Sequence, residues 1–117
     1  MFEMHGRTIR ISQGDTGIVT FSVEGAQLSS ADRAVFTVKG SAGRLIQKVI
    51  APEEGNLIRV PLTNEETDGW RPGLYSWDLR IVLEPKLDAD GMVTDGREVI
   101  TPWPPSQFEV VKVVGRI

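Results

Sequence analysis

The 117-residue chain contains no cysteine, which excludes disulfides and any cysteine-built zinc site from its stabilisation and fits a reducing compartment. It has a single histidine, His5, and no serine or cysteine in a nucleophile motif, so no catalytic triad can be assembled. Residues 1–7 lack the apolar stretch of a secretory leader, and no apolar run approaches the roughly 20 residues that span a bilayer. The sequence therefore predicts a soluble, unexported protein with no membrane partner. Its 13 basic residues are scattered and the net charge is −3. Nucleic acid is not an expected partner, because phosphate binding needs a concentrated basic face.

No window of helical length shows a sustained 3.6-residue apolar period. Instead, short runs with two-residue alternation recur between clusters of Gly, Pro, Asn and Asp. Ile9 and Ile11 share one face of the first run, and Val19, Phe21 and Val23 share one face of the second. Ala34, Phe36 and Val38 follow in a third. Leu45 to Ile50 is apolar on both faces, while Ile58, Val60 and Leu62 point together in a run whose Pro61 favours an edge. Leu28 to Asp32 predicts a single helical turn capped by Ser29. Thr63-Asn-Glu-Glu66 has the Thr-x-x-Glu spacing of a capping box and predicts another.

The clearest pattern is Gly73-Leu-Tyr-Ser-Trp-Asp-Leu-Arg-Ile-Val-Leu83. Tyr75, Trp77, Leu79, Ile81 and Leu83 fall on one face, with Ser76, Asp78 and Arg80 opposite and Val82 a large apolar residue facing outward among them. A one-residue slip would carry all five to the wrong side, which fixes a long central strand with one buried face. Asp88-Ala-Asp-Gly91 predicts a hairpin turn, with Met92 to Thr101 as its return strand, interrupted at Asp95-Gly96. Pro102-Trp-Pro-Pro105 predicts a stiff connector crossing between sheets, and Phe108 to Val114 a last strand. The resulting expectation is an all-β, antiparallel sandwich of about seven to eight strands, with a small barrel as the alternative. It forms one domain over 1–117, with residues 1–6 as a mobile tail.

Candidate chemistry is thin. Asp88-Ala-Asp-Gly91 fails the EF-hand test, since Lys86 and Arg97 would stand where carboxylates are required. A looser calcium site from Asp88, Asp90 and Asp95 competes with a plain hairpin turn. Glu53-Glu54 and Glu65-Glu66 sit in turns as solvated pairs, and Gly40-Ser-Ala-Gly43 lacks the spacing of a phosphate loop. Neither a catalytic residue nor a cofactor or metal site is expected. Trp70, Trp103 and Pro104 are the candidate interaction surface, because both tryptophans lie in Pro- or Gly-flanked connections. Each indole either plugs an end of the sandwich, meets a protein partner, or stacks on a sugar.

The motifs Gly14-Asp-Thr16, Val35-Phe-Thr-Val-Lys39, Gly73 to Ile81 and Gln107-Phe-Glu-Val110 resemble those of immunoglobulin-like domains in tail and baseplate proteins of bacteriophages and prophages, similar to the N-terminal module of baseplate upper proteins. The Gly-Leu-Tyr entry to the long strand also resembles the tyrosine corner of immunoglobulin-like domains, in which the hydroxyl bonds to upstream backbone. The resemblance implies a non-enzymatic structural or adaptor protein that binds other tail components or copies of itself. It further implies a protein made in the bacterial cytoplasm and built into the virion. The alternative is a small carbohydrate-binding module using the loop tryptophans.

Overall fold

The computed structural model describes residues 2–25, 27–103 and 105–113. Alternation sets the strands. The N-terminal residues Phe2–His5 (β1) and Thr8–Ser12 (β2) form a hairpin, with Met4 opposite Ile9. The expected mobile tail is thus a paired strand; four residues with apolar Phe2 and Met4 are too short a pattern to reveal it. Gly17–Ser22 (β3) follows, then Arg33–Gly40 (β4), Gly43–Ile50 (β5) and Leu57–Leu62 (β6).

After a one-turn helix at Asn64–Asp68 (α1) comes the long strand Gly73–Leu83 (β7). Lys86–Leu87 (β8) and Val93–Asp95 (β9) form the predicted hairpin, and Glu98–Ile100 (β10) and Ser106–Val111 (β11) complete the order. The last strand ends before Val113, and Val114 lies outside the described residues. Leu28 to Asp32 forms a turn rather than a helical one. Ser29 Oγ accepts from Ala31 N while the Asp32 carboxylate accepts from Ser29 N, a reciprocal pair that satisfies the backbone without a helix.

Two sheets result. The larger runs β1-β2-β11-β7-β4-β5, with β10 also on β7, and the smaller is β3-β6. The all-β expectation holds, but the larger sheet is mixed: β2 and β11 are parallel, Ile9 lying beside Phe108. That pair joins residues about a hundred positions apart, and local pattern carries no sign of its direction. The inner faces meet in one core. Ile9, Ile11, Phe36, Leu79 and Phe108 of the large sheet pack against Val19, Phe21, Ile58, Val60 and Leu62 of the small one.

The connection from β10 to β11 does not join the two sheets, since both strands belong to the larger one. Ile100 pairs with Ile81 and Ser106 with Trp77, so β10 and β11 share one edge of β7. Prolines without N–H groups suit this excursion, because no ladder bond is demanded there.

A two-stranded sheet facing a wide one leaves two open sides. On the β6 side, Lys48 continues the inward row of β5 and donates to Glu66 Oε1 (2.7 Å) and to the Pro61 carbonyl. Glu66 also closes the capping box, accepting from Thr63 N (2.9 Å) while its own N–H reaches Thr63 Oγ1 (3.3 Å). Burial pushes the Glu66 carboxyl up, yet Lys48 and Thr63 outweigh it and hold the group below the usual carboxylate range. Thr63→Ala is expected to cost about 1 kcal/mol, the usual value of an N-cap. The check is a urea midpoint that falls with no change in the dependence on urea concentration.

Candidate functional site

Of the three residues expected at an interaction surface, Trp70 belongs to the core. Only 6% exposed, it meets Phe108 edge-on at 5.8 Å, and its carbonyl accepts from Gln13 Nε2. Its backbone N–H bonds to the Thr67 carbonyl, and Thr67 Oγ1 bonds in turn to the Asp15 carbonyl. Trp103 is half-buried. Its ring sits 5.3 Å from Phe21, so one region of the indole caps the open side next to β3. With Ile100 and Pro102 it lines a concavity of about 440 Å³ that reaches Val23 and Gly25. Pro104 lies outside the described residues.

The acidic turn is closed by hydrogen bonds of its own. Asp88 Oδ1 accepts from the N–H groups of Asp90 and Met92, both at 2.9 Å, and Asp95 Oδ1 accepts from Gly96 N. Among the described residues no three His, Cys, Asp or Glu side chains come together as a metal would require. Nor is any helix there long and apolar enough to cross a membrane.

A second concavity, of about 450 Å³, lies on the outer face of the large sheet. Its floor follows from register. Val35 of β4 stands between Val49 and Arg80, Thr37 between Gln47 and Asp78, and Lys39 beside Arg44. One end is therefore valine and the other polar. The wall is the β9–β10 connection, which folds back so tightly over Val82 that a Cβ at Gly96 would overlap a Val82 methyl. Val82, an outward apolar residue of the long strand, is buried for this reason.

Within the polar row, hydrogen bonds run in one direction. Arg44 donates to Gln47 Oε1 (2.9 Å) and Gln47 Nε2 to Thr37 Oγ1 (3.2 Å). Asp78, next in the row, has an oxygen, Oδ1, that is shut off from solvent and has no hydrogen-bond partner among the described residues. Such atoms are rare in folded proteins and call for a reason. Sequence pattern did not find this place. Thr37, Gln47 and Asp78 look like ordinary solvent-face residues in their own strands, and only the pairing of three strands brings them side by side.

No family model matches the chain, and no curated protein shows significant similarity to it.

Proposed function

We propose that the protein is a non-enzymatic structural or adaptor module, immunoglobulin-like in kind, that enters a bacteriophage or prophage tail or baseplate through protein–protein contacts. The observation that carries the contact-making role is the state of β3. It is hydrogen-bonded to β6 and to no other strand among the described residues, with Ile18 57% exposed on its outer face and Trp103 at its end. A strand with one unpaired edge is a template for a strand from another chain, and a half-buried indole beside it supplies an anchor.

The immunoglobulin-like part draws support from strand order. The run β11-β7-β4-β5 corresponds to G-F-C-C′ of a variable-type domain, and β3-β6 to B and E. Tyr75, at the start of the F-equivalent strand, donates its hydroxyl to the Arg71 carbonyl at 2.6 Å, the geometry of a tyrosine corner. The tail assignment draws on the resemblance of the sequence motifs. The carbohydrate alternative retains only Trp103 as an indole platform, which makes it the weaker reading.

Light scattering on the purified chain, alone and mixed with the products of neighbouring genes, tests the proposal. A mass above the 12.9 kDa of one chain is expected, and Ile18→Lys, at an exposed position, should weaken the complex about tenfold while leaving the melting curve unchanged. A strict monomer with every neighbour would overturn it.

A further inference from the structure

We propose that the concavity on the outer face of the large sheet is a binding site for an acidic sugar, a ring that carries both hydroxyls and a carboxylate. The inference is independent of the assembly role, since it concerns the opposite face of the large sheet from the one that packs on β3.

Three features of the site define the ligand. The first is a donor and an acceptor side by side. Thr37 takes the Gln47 amide proton on its oxygen and keeps its own hydroxyl proton, for which no described residue is an acceptor. Its cross-strand neighbour Asp78 has an oxygen without a donor. Half a turn about the Asp78 carboxylate torsion, which is soft and two-fold, exchanges its two oxygens. One ligand hydroxyl can then accept from Thr37 and donate to the Asp78 oxygen on the concavity side.

The second feature is charge. Lys39, Arg44 and Arg80 line the same concavity, and none is within ion-pair distance of a carboxylate of the described residues. Asp78 and Asp95 line it too, so three cations against two carboxylates leave one positive charge in excess for an anion, and the arginines suit a carboxylate because their donors form a planar fork. The third is the valine end. Val35 and Val82 are buried in the floor and Val99 stands 48% exposed at its margin, which offers the C–H face of a ring an apolar bed. The volume, about 450 Å³, suits one or two sugar rings.

The test is a nitrogen-15 amide titration of the full chain with three probes: glucuronate, glucose, which lacks the carboxylate, and cyclohexanecarboxylate, which lacks the hydroxyls. Saturable shifts at Thr37, Gln47 and Asp78 are expected with glucuronate, at an affinity about tenfold above either deficient probe. Asp78→Asn and Arg44→Gln should each lower that affinity about tenfold while their spectra remain those of the folded chain. Arg44 is exposed and the asparagine is isosteric, so both variants are expected to fold. The proposal is overturned by unsaturable or absent shifts with glucuronate, by equal binding of a deficient probe, by shifts centred on Trp103 instead, or by either variant binding as tightly as the parent.

Discussion

Trp77→Ala is expected to lower the unfolding free energy by about 3–5 kcal/mol, the range for removing a large aromatic from a close-packed interior. Trp77 is 1% exposed and sits at the centre of an aromatic cluster, its ring 5.2 Å from Phe21 and 5.8 Å from Phe36. Phe21 in turn touches Trp103, so the indole joins the small sheet, the large sheet and the cap of the open side. Two losses add. The vacated volume cannot collapse while three strands hold their registers, and the Arg7 carbonyl loses the 2.8 Å bond from Trp77 Nε1. Against a typical domain stability of about 5–15 kcal/mol, that removes a large share or all of the fold.

Urea unfolding followed by circular dichroism measures the loss, and Trp77→Phe divides it. Phenylalanine keeps a ring in the cluster but cannot reach Arg7, so a cost of about 1–3 kcal/mol is expected there. A loss below about 1 kcal/mol in Trp77→Ala would contradict the burial on which the two-sheet architecture stands.

What was legible in the sequence had a local cause. The five alternating side chains of β7 announce a buried face because period two is the geometry of a strand, and Trp77, Leu79 and Ile81 are all buried. Thr63 and Glu66 announce a helix start because both halves of a capping box lie within four residues. Tyr75 follows the same rule, since its hydroxyl partner is only four residues upstream.

What was not legible depends on partners far away in the chain. Nothing within Phe108 to Val111 says that its neighbour is β2 rather than another strand, or that the pair is parallel. Nothing in residues 101–105 distinguishes a crossing from an excursion along one edge, because prolines forbid ladder bonds in both cases. Val82 reads as an exposed valine until Gly96 folds over it. The concavity is the extreme case, since Gln47, Thr37 and Asp78 acquire a common meaning only through two strand registers. Trp103 was singled out for its place in a Pro-rich connection, and its ring does lie against Phe21.

Asp32 carries the second large effect, and it has a pH signature. The residue is 6% exposed and ties two loops together: Oδ2 accepts from Ser29 N at 2.8 Å, and Oδ1 accepts from Glu84 N at 3.1 Å. Glu84 has a φ of 47°, a left-handed conformation that a side chain resists, so this second bond holds a corner that would otherwise relax. Burial by itself pushes the Asp32 carboxyl up. The Ser29 and Glu84 N–H groups, the Ser29 hydroxyl and the charge of Arg97 outweigh it and bring the group below its ordinary value.

A depressed carboxyl in the folded state stabilises fully above the unfolded value, near pH 4, and loses that contribution as pH falls from there through the folded value. Glu66, also held low, adds in the same direction. Asp32→Asn keeps one acceptor and turns an amide N–H₂ toward a backbone donor, so a loss of about 2–4 kcal/mol is expected at pH 7. The urea midpoint of the parent should be level between pH 7 and 5 and drop below about pH 4, while the variant, with no charge there to lose, declines less. The separation between the two curves should therefore narrow in acid. A separation as wide at pH 3 as at pH 7 would mean that the ionised form of Asp32 does not hold the two loops, and that the corner at Glu84 is fixed by something else.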